Sequence, residues 1–214
     1  KAPLTPIQIS FFDCHYAKPH HYNQALMLYC KEGFRLDALK QSLRSLVVHH
    51  DMLRGVYSGK LQKILPVEQS KLFELHTFDL KQAENVPQIV AQESTRLQGS
   101  IDLENGPLMK AGLFHTADGD HLLLCAHHLV VDGVSWRILL EDLKSGYEQA
   151  LQGVEIVLPA KTASYKEWAE ALAEYARSKE LKQEIAYWKS VCEQVNRGQI
   201  KGDLEGQQVA FANT

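Results

Sequence analysis

The sequence predicts a mixed α/β fold, and three features carry that expectation. Runs of strand length, such as QALMLYC and LFELHTFDL, alternate with longer stretches whose apolar residues recur at helical spacing. Turn residues punctuate the runs, with Ser-Gly at 58–59 and Ala-Asp-Gly-Asp at 117–120. The 214 residues, 45% apolar and 23% charged, can bury a sizeable core in one large domain or two small ones.

The elements follow in chain order. QALMLYC (24–30) reads as a strand. In FRLDALKQSLRSLVVHHDMLR, Leu36, Leu39, Leu43, Leu46, Val47 and His50 share one helical face, and Asp37 supplies an acidic first turn. LRGVYSGKLQKILP reads as two strands joined through Ser-Gly, and LFELHTFDL as another strand. VPQIVAQESTRLQ reads as a helix that tolerates Pro87 in its first turn. Two apolar runs on either side of Ala-Asp-Gly-Asp, within PLMKAGLFHTADGDHLLLCAHH, predict a β-hairpin. The helix after it carries Trp136, Leu139, Leu140, Leu143, Tyr147, Ala150 and Leu151 on one stripe, with Gly153 as its stop. Ser164-x-x-Glu167 opens a further helix with a capping-box pattern, repeating Trp168, Leu172 and Tyr175. A last helix carries Leu181, Ile185, Trp188 and Cys192, and the Gly-rich polar tail from 196 reads as a connector.

Composition narrows the function classes. A net charge of -3, with Lys and Arg dispersed among Glu and Asp, advertises neither nucleic acid nor an anionic membrane. No apolar run approaches the roughly 18–20 residues of a membrane span, and KAPLTPIQ has no signal-peptide core. The sequence opens without an initiator Met, and a segment of a longer polypeptide is the expectation. Cys14, Cys30, Cys125 and Cys192 lie far apart without a CxxC pair and read as thiols in a reducing, cytoplasmic setting.

Three adjacent histidine pairs stand out: His20-His21, His49-His50 and His127-His128. His49 and His50 close a helix, where a partly cationic imidazole favours the dipole and a structural role suffices. His20 and His21 lie in a polar loop that assigns them no role. His127 and His128 end a strand, where successive side chains point to opposite faces, so one ring can enter a cleft while the other packs inward. Asp132 is near enough to brace the turn, and Gly133 supplies backbone freedom where the chain redirects. An imidazole with a pKa of about 6.5 can take and return a proton near neutral pH. Two His and an Asp also form a ligand set, but adjacent ligands that point apart share one ion poorly, so no metal is expected. No G-x-S-x-G, Walker A or G-x-G-x-x-G sequence supports a serine hydrolase or a nucleotide cofactor.

HHLVVDG (127–133) resembles the HHxxxDG signature of the condensation-domain superfamily of nonribosomal peptide synthetases, relatives of chloramphenicol acetyltransferase. PLTPIQISFF, HHDMLRGVY and IDLENGPLMKAGLF resemble companion motifs in the same order, so the resemblance covers residues 3–143. PIQISFF followed by HHYNQALML, then VDGVSWRILLEDL and LPAKTASYKEWAEALAEYA, resemble the epimerization subtype and extend the likeness to about residue 192.

The resemblance implies a chloramphenicol acetyltransferase-like mixed sheet flanked by helices, one lobe of a two-lobed, V-shaped domain. Residues 1–195 would form the N-terminal lobe and 196–214 the start of a crossover to a C-terminal lobe not contained in this sequence. His128 would transfer the proton at the Cα of an aminoacyl or peptidyl thioester, interconverting L and D configuration. That thioester would arrive on the phosphopantetheine of a peptidyl carrier protein, with no cofactor bound by the chain itself. His127 would be a scaffold residue, Asp132 a structural one paired with Arg54, and Gly133 would leave room with its N–H toward the thioester carbonyl. Epimerization relatives draw a second acid/base, a glutamate, from the C-terminal lobe, so the isolated chain is expected to be inactive. Amide formation by a condensation domain and non-catalytic docking of a carrier protein are the alternatives.

Overall fold

The computed structural model describes residues 1–197. Its main sheet joins four strands in the order β1–β6–β5–β4: β1 (Asn23–Cys30), β6 (Gly119–His127), β5 (Met109–Thr116) and β4 (Glu74–Asp79). β1 with β6 and β6 with β5 are antiparallel, whereas β5 with β4 is parallel, so the sheet is mixed. The parallel pair follows from the connection. α3 (Val86–Gly99) carries the chain from β4 back across the sheet before β5 begins. β2 (Gly55–Ser58) and β3 (Leu61–Ile64) form a separate antiparallel hairpin.

Helices cover both faces of the sheet. α2 (Leu36–His49) and α4 (Gly133–Leu151) pack side by side on one face, where Ser42 Oγ donates to the Leu143 carbonyl at 2.9 Å. Between them and the sheet lies the largest core, with Leu43, Val47, Leu113, Leu122 and Leu124 almost fully buried. On the other face α3 presses Leu97 against Phe114 and Leu123. Strand alternation divides these layers: Leu122, Leu124 and Ala126 of β6 join the first core, while Leu123 joins the layer under α3. β5 and β6 turn at Ala117-Asp118, because Thr116 pairs with Gly119, as the predicted hairpin requires. The helix ending at His49 and the strands about Ser-Gly also lie where the sequence places them.

α1 (Pro6–Asp13) was not legible as a helix from periodicity. Its start signal is local: Pro6 occupies the first turn, and the Thr5 N–H donates to Gln8 Oε1 at 3.1 Å. α5 (Tyr165–Tyr175) opens with the predicted capping box, in which the Glu167 N–H donates to Ser164 Oγ at 3.2 Å and the Ser164 N–H to Glu167 Oε2 at 2.7 Å. α6 spans Lys179–Arg197. The apolar stripes expected on these two helices form but face outward, with Trp168 56% and Trp188 54% exposed. α5 is tied to the body through buried Ala169 and through the Tyr165 hydroxyl, 3.1 Å from Thr5 Oγ1. The connector expected beyond α6 lies outside the described residues. Among the described residues no helix is long and apolar enough to cross a membrane.

Candidate active site

The antiparallel register sets the site. Asn23 pairs with His127 and Gln24 with Ala126, so the start of β1 runs beside the end of β6. His127 turns inward and is fully buried. A carbonyl oxygen only accepts, so the 2.8 Å contact between His127 Nε2 and the Pro19 carbonyl places the proton on Nε2. His127 Nδ1 then accepts from the Leu129 N–H at 3.1 Å. Burial pushes this imidazole down to about 4, and nearby His20 and His128 add to the effect. His127 is therefore a neutral ring that ties the strand end to the loop before β1.

His128 points the other way and is half-buried against a cleft of about 1000 Å³. Its N–H donates to the Tyr22 carbonyl at 2.8 Å, and its ring stacks on Tyr22 with centroids 5.4 Å apart. Nδ1 lies 2.7 Å from the Val131 carbonyl and must be the protonated nitrogen. Nε2 is left as the basic nitrogen of the neutral ring, 3.3 Å from Gln24 Nε2. Ile7, Phe11 and Tyr16 from the N-terminal segment and Ile138 and Trp168 from α4 and α5 contribute apolar wall to the cleft.

Asp132 caps α4. Its Oδ1 accepts from the Ser135 N–H at 2.7 Å and from Ser135 Oγ at 2.6 Å. Those two bonds hold the Asp132 carboxyl below the usual carboxylate range. The expected Asp132–Arg54 pair does not form. Arg54 is spent on the end of α2: Nη1 donates to the Val47 and Val48 carbonyls at 2.6 and 2.9 Å, Nε to the Leu65 carbonyl at 3.0 Å, and Nη2 to Asp51 Oδ1 at 2.8 Å. The Val47 and Val48 acceptors are carbonyls a helix terminus leaves open, and a planar guanidinium reaches several at once. Gly133 is not at a left-handed position, so backbone freedom is not its reason. A Cβ built there meets nothing within 4 Å, so the space beside it is open. As a first-turn amide of α4, its N–H has no acceptor inside the helix.

His20 and His50 make structural contacts. His20 Nδ1 accepts from the Leu103 N–H at 3.0 Å. His50 caps α2 and places Nε2 2.7 Å from Asp142 Oδ2 on α4. Burial, His50 and Lys161 hold His49 below the usual histidine range, which disfavours at His49 the partly cationic ring expected for the helix dipole. His49, His50 and Asp142 are spaced for a metal ion, but His50 and Asp142 already satisfy each other, and the Lys161 cation disfavours a second positive charge at His49.

Gln24, Trp136, Tyr22 and Gln8 escaped the reading of the sequence as site residues. Gln8 is buried and donates from Nε2 to Gln62 Oε1 at 2.8 Å and to the Leu129 carbonyl at 3.3 Å, pinning the loop after His128. Gln24 carried one signal. It shares the inward face of β1 with Leu26 and Leu28, where an amide needs a buried partner.

A mixed sheet flanked by helices, with a strand-to-helix turn presenting one imidazole to a cleft, is what the resemblance to a condensation-type domain of nonribosomal peptide synthetases implies. A condensation-domain family model matches residues 1–209, and the chain belongs to that family. It is 49% identical to tyrocidine synthase 2 of Brevibacillus parabrevis over 188 residues, 86% of this chain and 5% of that protein. It is 46% identical to gramicidin S synthase 1 of Brevibacillus brevis over 203 residues, 94% of this chain and 18% of that protein. Among solved structures, the epimerization domain from the third module of tyrocidine synthetase B superposes with a TM-score of 0.87 at 45% identity, over 95% of this chain and 46% of that one. The starter condensation domain of rhizomide synthetase shares the fold, with a TM-score of 0.72 at 23% identity over 89% of this chain and 47% of that one. The chain thus spans under half of these solved domains and under a fifth of these synthetases.

Proposed function

We propose that this chain is the N-terminal half of an epimerization domain, with residues 1–195 as the first lobe and 196–214 leading to the second. The observation that carries the reading is that His128 lines a cleft of about 1000 Å³ with its Nδ1 committed to the Val131 carbonyl. The 45% identity to an epimerization domain, against 23% to a starter condensation domain, supports proton transfer over amide formation.

The substrate is an L-aminoacyl or L-peptidyl thioester on the phosphopantetheine of a peptidyl carrier protein. His128 Nε2 takes the Cα proton as the Cα–H bond breaks, and the electron pair delocalises onto the thioester carbonyl oxygen. Val131 holds the proton on Nδ1 and so keeps Nε2 free for that task. The first-turn N–H of Gly133 and the positive end of α4 stabilise the enolate oxygen. An acid on the opposite lobe, a glutamate by the resemblance, returns a proton to the other face and yields the D-configured thioester.

The test is Cα exchange in D₂O. A domain extended through its second half, supplied with a loaded carrier protein, should take up deuterium and form D-product. His128→Ala should lower the rate by about 10²–10⁴-fold, the usual worth of a general base. Amide formation with an acceptor carrier and no exchange would move the assignment to condensation, and carrier binding alone would leave a docking module.

A further inference from the structure

The proton inventory of His128 depends on a side chain that the signature motif does not contain. Gln24 Oε1 accepts from the Trp136 indole N–H at 3.0 Å, while Gln24 Nε2 lies 3.3 Å from His128 Nε2. An indole nitrogen can only donate, so the amide oxygen must face Trp136 and the amide NH₂ must face His128. Flipping the amide would set two donors against each other at the indole. It would also offer His128 Nε2 an acceptor, and with Nδ1 already protonated toward Val131 the favoured ring would carry protons on both nitrogens. One indole hydrogen therefore selects between a ring ready to accept a proton and a ring that already holds it.

We propose that Gln24, oriented by Trp136, is the positioning residue of the site, turning its acceptor oxygen away from His128 so that Nε2 stays unprotonated. This rests on the reading of His128 as the group that takes the Cα proton. Gln24 acts through His128 rather than on the thioester itself. At 3.3 Å its N–H contact is long enough to yield as the Cα–H bond approaches. After transfer the new Nε2–H faces a donor and finds no acceptor at Gln24, so the proton is passed on rather than trapped. Tyr22 fixes the ring plane by stacking, and Val131 fixes the other nitrogen, which leaves the amide as the element that decides the state of Nε2.

The experiment uses the two-lobed domain with nitrogen-15-labelled histidine, comparing wild type, Gln24→Glu, Gln24→Leu and Trp136→Phe at pH 7.5. Nitrogen-15 NMR distinguishes a bare ring nitrogen from a protonated one. The wild type should show His128 with Nδ1–H and bare Nε2. Gln24→Glu, similar in shape but with an acceptor opposite Nε2, should protonate Nε2 and lower kcat for Cα exchange by at least about tenfold, out of the roughly 10²–10⁴ a general base supplies, with KM unchanged. Gln24→Leu, which offers no acceptor, should keep Nε2 bare. Trp136→Phe should give a mixture, because the amide is then free to turn. Gln24→Glu or Trp136→Phe with wild-type nitrogen spectra and kcat within about twofold would overturn the proposal, and either variant suffices if the other does not fold. Absence of Cα exchange in the wild type, with the nitrogen spectra responding as described, would instead remove the epimerization reading and leave the control of His128 standing.

Discussion

Lowering the pH from 7.5 to 5.0 should destabilise this chain through His127 well before its carboxylates titrate. The ring is fully buried, its Nε2–H donates to the Pro19 carbonyl and its Nδ1 accepts from the Leu129 N–H. Burial lowers its folded-state value to about 4, from 6.5 for an ordinary histidine. The unfolded chain therefore binds a proton below pH 6.5 that the folded chain refuses until about pH 4. Stability is full above the unfolded value and falls with pH through that window. Integrated between pH 7.5 and 5.0, those two values give a loss of about 2 kcal/mol. Urea unfolding reads it directly: with a slope of about 2 kcal/mol per molar, the midpoint should fall by about 1 M. His127→Gln cannot titrate, and its amide can still donate toward Pro19, so it should start less stable but show a flatter response between those pH values. Parallel losses in wild type and His127→Gln would refute the neutral buried ring.

Other substitutions probe the supports of the site. Asp132→Ala removes the cap of α4 and should lower stability by about 1 kcal/mol, whereas Asp132→Asn keeps an acceptor and should lose less; thermal unfolding of the pair decides. The Asp132 contribution is present above the ordinary carboxylate range, near pH 4, and disappears as pH falls through its lowered folded value. Arg54→Lys should cost about 2 kcal/mol in urea unfolding, because one ammonium cannot span the Val47, Val48 and Leu65 carbonyls and Asp51; equal stability would mean those bonds contribute nothing. Gly119→Ala should be the most damaging, by about 3 kcal/mol, because its Cβ would lie 2.7 Å from the Cys30 carbonyl oxygen at a φ of 141°. Full expression with an unchanged melting temperature would contradict that packing.

Local patterns proved reliable where the chemistry is itself local. The Leu36–Val47 stripe became α2, Ser164-x-x-Glu167 became a capping box, and the two apolar runs either side of Ala-Asp-Gly-Asp became the β5–β6 hairpin. The opposed directions of His127 and His128 also follow from strand geometry alone. The Asp132–Arg54 pairing failed because spacing along the chain does not record which carbonyls a helix end leaves open. Arg54 found those of α2, and Asp132 found the nearer Ser135. The stripes of α5 and α6 were legible as helices, but their exposed Trp168 and Trp188 show that an apolar face in sequence does not name what covers it.

The sequence alone determined the mixed α/β class, the capping box of α5 and the placing of one imidazole at a strand-to-helix turn, because each depends on periods of two or 3.6 residues and on contacts within one turn. The fold decided what that imidazole can do. Gln24 and Trp136 lie 112 residues apart, and Gln24 and His128 lie 104 apart. Their hydrogen bonds arise only because β1 pairs with β6 in a fixed register while α4 packs across the same face. Val131, three residues on, meets Nδ1 of His128, but the groups that face Nε2 are brought in from across the sheet, and no local pattern in the chain encodes them.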